Sequence, residues 1–220
     1  MPLKFKKPLF ITFEGGEGTG KTTQINEFSK WLRSKDVNFI QTREPGGVPE
    51  AEEIRKKLLN GDKDKYSPHD ELLLFSKARN LFFNQRVMPA LEQGKTVVSD
   101  RFADSTTVYQ GYAGGLSQQQ IDAAHKTAFN NQWPDITFIL DIPVEIGLAR
   151  ANKRGEEENR FEKKGSEFHE CIRNGFLRVA KENPERCILI NVEGLNITEL
   201  HSRIQTAFLK KAEENNLLCL

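Results

Sequence analysis

The chain has 220 residues, with 32 Lys plus Arg against 31 Asp plus Glu and a formal net charge of +1. That length buries roughly 70% of the unfolded surface, enough for one domain, 1–220, with at most a small appended lid. Near-neutral charge argues against a nucleic-acid or anionic-membrane surface. No run of apolar residues is long enough to span a bilayer, and MPLKFKKPLF lacks the apolar core of a secretory signal, so the expectation is a cytoplasmic protein without nucleic-acid or membrane partners.

Leu9–Phe13 is rich in β-branched and aromatic residues and predicts the first strand. Gly15-Gly16-Glu17-Gly18-Thr19-Gly20-Lys21-Thr22 follows, then a helix over Lys21–Lys35 with Ile25, Phe28 and Leu32 at helical spacing. A second strand, Phe39–Thr42, runs into Arg43-Glu44-Pro45-Gly46-Gly47, and Pro49–Asn60 predicts a helix. Ser67-Pro68-His69-Asp70 reads as N-cap, proline at N1 and an acid at N3. It opens a helix that runs to Leu91 or Gly94, bent or ended by Pro89.

Thr96–Ser99 predicts a third strand ending at Asp100-Arg101, and Ser117–Gln120 is a capping box for a helix through Phe129. Ile136–Leu140 is a fourth strand, followed by a helix over Pro143–Arg154. Lys153–Lys164 is almost wholly charged and predicts either a solvated loop or a mobile lid. Helices over Phe168–Glu182 and Ile197–Asn216 flank a last strand, Ile188–Ile190. Continuous apolarity predicts strands buried on both faces. Alternation of β and α predicts an α/β three-layer fold, a five-stranded parallel sheet flanked by helices. Cys171, Cys187 and Cys219 form no disulfide or zinc pattern, and Cys171 and Cys187 read as packing residues.

Gly15–Thr22 fits G-x-x-x-x-G-K-[ST], between a predicted strand and a predicted helix as that phosphate-binding motif requires. Glycines let backbone N–H groups converge on phosphate oxygens, and the helix adds its positive end. Lys21 supplies a charge near the β- and γ-phosphates, and Thr22 a hydroxyl for Mg²⁺. The ligand is therefore a nucleoside triphosphate. Asp100 can orient Mg²⁺ or its waters and Arg101 can clamp a phosphate, because parallel strands aim their carboxyl ends at the ligand crevice. Arg43, held at a Pro-Gly-Gly turn, is either a second phosphate ligand or an exposed turn residue. Phe75 and Arg79 lie one helical turn apart, suited to stacking on a base and bonding its edge, or to a core.

Taken together, FITFEGGEGTGKTTQ, TREPGG, LLLFSKAR, VVSDRFADSTTVYQG and RGEEENRFE resemble the thymidylate kinase family in its bacterial form. The resemblance implies a P-loop kinase fold with a lid at about 153–164 and transfer of the γ-phosphoryl group of ATP to dTMP. It implies that Gly15–Thr22 form the ATP loop, with Glu17 near the acceptor sugar and positioning Arg43. Arg43 would hold the acceptor phosphate, Arg101 would bridge toward the transferred group, Phe75 would stack on thymine and Arg79 would reach a ring carbonyl. Ser105, Thr106, Tyr109 and Gln110 match positions lining base and sugar, with Tyr109 crowding the 2′ position and Thr106 or Gln110 at the base edge. Some members carry an arginine directly after the loop acid. Here that residue is Gly18, so the lid would supply the charge through Arg154 or Arg160, while Arg150 would stack on adenine. The resemblance also implies a homodimer.

Two other readings stay open. One is a kinase for a different nucleoside or monophosphate. The other is a P-loop switch protein; Asn152-Lys153-Arg154-Gly155 begins like a guanine-reading element but lacks its aspartate.

Overall fold

The computed structural model describes residues 2–153 and 160–219. Its centre is five strands: β1 (Phe10–Glu14), β2 (Phe39–Arg43), β3 (Thr96–Asp100), β4 (Ile136–Asp141) and β5 (Cys187–Asn191). All pair in parallel, in the order β2-β3-β1-β4-β5. The helices are α1 (Lys21–Ser34), α2 (Pro49–Leu59), α3 (Pro68–Phe82), α4 (Met88–Glu92), α5 (Ala103–Thr106), α6 (Gln118–Phe129), α7 (Val144–Asn152), α8 (Ser166–Glu182) and α9 (Ile197–Glu214).

The period-two alternation of β1 divides the core. Ile11 and Phe13 face α1 and α9, packing with Ile25, Phe28 and Phe208. Phe10 faces the other layer, with Phe82, Phe83, Phe102 and Phe129. Every strand ends one residue beyond its predicted apolar run, on Glu14, Arg43, Asp100, Asp141 or Asn191. The ladder continues after the apolar pattern stops, and the extra polar residues stand along the carboxyl edge of the sheet.

Three expectations need correction. Burial on both faces holds for β1, β3 and β4 but not for β2 and β5, which are sheet edges and partly exposed. The long helix is interrupted by a π-helical stretch, Phe83–Val87, in which Met88 N–H donates to Phe83 O. That wider turn precedes Pro89, whose ring has no N–H to continue the α-helical ladder. Cys171 is exposed rather than packed. The caps at Ser67 and Ser117 form as the sequence predicts, each a reciprocal capping box.

Connections from β1 and from β3 leave in opposite directions, to β2 and to β4. A crevice therefore opens outside the carboxyl ends of these two neighbours. No helix among the described residues is long and apolar enough to cross a membrane.

Candidate active site

The crevice is a cavity of about 630 Å³. Its floor is the Gly15–Thr22 loop. The loop lies directly on the backbone of α7: a Cβ on Gly18, which has φ +66°, would collide with the Gly147 carbonyl. Lys21 folds back over the loop and donates to Gly15 O at 3.0 Å and Gly16 O at 2.7 Å. Burial, aided by the neighbouring Arg101 guanidinium, pushes its pKa down to about 8. Thr22 Oγ1 donates to Asp100 Oδ2 at 2.9 Å, so the two expected metal-facing oxygens meet.

Arg101 holds a left-handed backbone, φ 69°, a conformation that a bulky residue keeps only when its surroundings fix it. Those surroundings are visible. Its Nη1 donates to Ser105 Oγ at 3.0 Å, and its Nη2 to Glu17 Oε1 and Tyr109 Oη, both at 3.2 Å. Beneath it, buried Glu14 accepts from Phe102 N–H at 2.7 Å and Ser105 Oγ at 2.6 Å. Burial, reinforced by the Asp104 carboxylate, pushes the Glu14 pKa up to about 8 against the pull of Arg101. Burial also works against the charge of Glu17, but Arg101, Lys21 and the Tyr109 hydroxyl outweigh it and hold its pKa below the ordinary value.

The far end of the cavity is aromatic. Phe75 and Phe161 rings lie 6.1 Å apart, and Tyr109 meets Phe161 edge-on at 5.6 Å. Arg79, only 1% exposed, pairs with Glu44 at 2.5 Å and donates to Thr106 Oγ1 at 2.8 Å. Its Nε and Nη1 have no partner among the described residues, although the residue lines the cavity. Both are donors buried in the cavity wall. Arg43 is mostly exposed and pairs with Glu52 at 3.1 Å, whose other oxygen accepts from Gly47 N–H at 2.9 Å.

The cavity thus collects Glu17, Gly18, Thr19, Gly20, Lys21, Thr22, Arg43, Phe75, Arg79, Asp100, Arg101, Ser105, Thr106, Tyr109, Gln110 and Arg150, all expected from sequence. Gly15 and Gly16 meet it through their carbonyls on Lys21. Arg154 lies outside the described residues. Arg160 does not stand where a lid arginine reaching a transferred phosphoryl would. It is absent from the cavity lining, and its buried guanidinium sits 2.7 Å from Glu71.

Eight lining residues were not among the expected site residues: Thr23, Glu44, Pro45, Arg55, Leu59, Phe102, Phe161 and Glu162. Arg55 Nη1 donates to Pro45 O at 2.8 Å, which ties α2 to the turn that follows Arg43. Burial and then the neighbouring Arg43 lower its pKa. The arrangement therefore concentrates cations, Lys21, Arg43, Arg55 and Arg101, between a phosphate loop and an aromatic slot.

The sequence model of the family described as thymidylate kinase matches residues 13–204. A thymidylate kinase from Dinoroseobacter shibae is 44% identical over 181 residues, 82% of this chain and 87% of that protein. One from Caulobacter vibrioides is 45% identical over 184 residues, 84% and 88% of the two chains. A crystal structure of thymidylate kinase from Ehrlichia chaffeensis superposes with a TM-score of 0.74 at 32% identity, covering 92% of this chain and 99% of that one.

Proposed function

The chain belongs to the thymidylate kinase family, and from that premise we propose that its cleft carries the γ-phosphoryl group of ATP to dTMP, giving ADP and dTDP. The observation that carries this reading is one cavity with a phosphate loop at one end and an aromatic slot at the other, lined also by Arg79, whose buried Nε and Nη1 have no partner among the described residues.

The acceptor is a phosphate monoester with a second pKa of about 6, so it is largely dianionic at neutral pH and needs no general base. The protein's task is to align two polyanions and offset their repulsion. Loop N–H groups and Lys21 take the donor phosphates, while Arg43 and Arg55 take the acceptor phosphate. Arg101, fixed by Glu17, Ser105 and Tyr109, lies between them. Phe75 stacks on thymine, Arg79 meets a ring carbonyl, and Gln110 or Thr106 meets the base edge. Tyr109 closes over the sugar, and Arg150, exposed at the donor end, stacks on adenine.

Thr22 and Asp100 present two oxygens 2.9 Å apart beside the loop, which fits Mg²⁺ bound by one or two protein oxygens plus phosphate and water. When bound, the ion neutralises phosphate charge. Arg154 belongs to the proposed lid at about 153–164. Likeness to the family supports an ATP-dependent, cytoplasmic homodimer of single P-loop kinase domains.

Steady-state kinetics separate the two ends of the cleft. Phe75→Ala is expected to raise the KM for dTMP at least about tenfold with little change in the KM for ATP. Lys21→Ala is expected to lower kcat by about 10²–10³ with the fold intact. Near-normal turnover in Lys21→Ala would sink the assignment.

A further inference from the structure

The buried partners of Arg160 form a chain that ends at the base slot. Its Nη1 lies 2.7 Å from Glu71 Oε1. Its Nε and Nη1 donate to Leu58 O at 3.0 Å and Lys63 O at 3.1 Å. The Tyr66 and Phe161 rings pack on the guanidinium at 5.3 and 4.5 Å. A fully buried ion pair is weak as a stabiliser, because well-packed apolar residues of similar volume often do as well or better. Its other consequence is orientational.

The second Glu71 oxygen, Oε2, accepts from Gln110 Nε2 at 2.8 Å. A carboxylate held against a guanidinium can only accept, so the Gln110 amide must turn its NH₂ group toward Glu71 and its carbonyl Oε1 away. Gln110 lines the cavity, and no described residue donates to that Oε1. The cavity wall therefore carries an acceptor from Gln110 and the Arg79 guanidinium, whose buried Nε and Nη1 have no partner among the described residues. This pattern complements a pyrimidine with N3–H next to a C4 carbonyl. Cytosine reverses both groups, with a bare N3 and a 4-amino donor.

We propose that the Arg160–Glu71 pair determines base specificity by fixing the Gln110 amide, so that the cleft accepts N3–H pyrimidine monophosphates and rejects dCMP. The inference rests on dTMP occupying this end of the cleft. Glu71 and Arg160 are positioning residues here; Gln110 alone of the three touches the base.

The test compares kcat/KM for dTMP, dUMP and dCMP in the wild type and in Glu71→Gln, which lets the facing amide turn either way. The dCMP-to-dTMP ratio should rise about tenfold, as loss of one hydrogen-bond discrimination would give. The dUMP-to-dTMP ratio should stay unchanged, because both carry N3–H, and the KM for ATP should not move. Arg160→Met should relax the dCMP ratio likewise, and Arg160→Lys should restore it. If a single variant fails to fold, the neutral pair Glu71→Gln with Arg160→Gln carries the same comparison. An unchanged dCMP ratio in a folded variant overturns the proposal, as does an equal fall of kcat with every acceptor. Failure of the wild type to phosphorylate dTMP would instead overturn the reading of the cleft itself.

Discussion

Lys21 donates to the loop carbonyls of Gly15 and Gly16, and burial, then Arg101, lower its pKa to about 8. A bound polyphosphate favours the charged ammonium and raises that pKa, so ATP binding at about pH 9 should take up protons. Calorimetric heats should then scale with the ionisation heat of the buffer, and Lys21→Met should lose that dependence. Buffer-independent heats in the wild type would contradict the assignment. Glu14 supplies a second pH test. Its pKa is raised to about 8 by burial, reinforced by the Asp104 carboxylate. Its stabilising contribution is therefore complete below the ordinary value of 4.5 and lost as pH rises toward about 8. Across that window Glu14→Gln should show a flatter melting profile than the wild type, and parallel profiles would refute it. Lys21, Thr22 and Arg101 were legible because contiguous motifs carry them. Arg55, Glu44 and Glu71 were not: each takes its meaning from a partner on another segment, and in sequence each resembles a solvated helix or turn charge.

At the scale of elements, the phosphate loop depends on backbone contact between two glycines. A Cβ on Gly147 would lie 2.5 Å from the Glu17 carbonyl oxygen, and Gly18 meets Gly147 from the opposite side. Gly147→Ala should therefore push α7 off the loop and cost about 1–3 kcal/mol, as overpacking does. It should also raise the KM for ATP more than that for dTMP, since the lost contact braces Glu17 and Gly18 of the phosphate loop. A melting temperature and both KM values unchanged would show that the contact is slack. The strands and caps could be read because apolar runs and Ser-Pro-x-Asp patterns are local signals. The π-helical stretches at Phe83–Val87 and Thr107–Tyr112 could not, because the widening is set by what packs against them. The second of these stretches places Tyr109 and Gln110 on the cavity wall. The charged run at 153–164 shows the limit of composition: Phe161 within it is buried and lines the aromatic slot.

Over the whole molecule, a net charge of +1 coexists with a cleft where Lys21, Arg43, Arg55, Arg79 and Arg101 converge. The fold achieves this with acids as local counter-ions, Glu44 for Arg79, Glu17 for Arg101 and Glu52 for Arg43 in the cleft, and Glu71 for Arg160 outside its lining. Strand order brings β1 and β3 together across some 80 residues of chain, and with them the loop and Asp100-Arg101. Parallel alternation was visible in the sequence, but that order was not, since it depends on which crossovers pack. The central claim is direct transfer between two nucleotides in this one cleft. Its most direct test is coupled ADP release with ATP against dTMP, dUMP, dCMP, AMP and GMP, with dTDP identified as product. The account predicts that dTMP gives the highest kcat/KM, with one dTDP formed for each ADP. ADP release without dTDP, or a higher kcat/KM for a purine monophosphate, would contradict it.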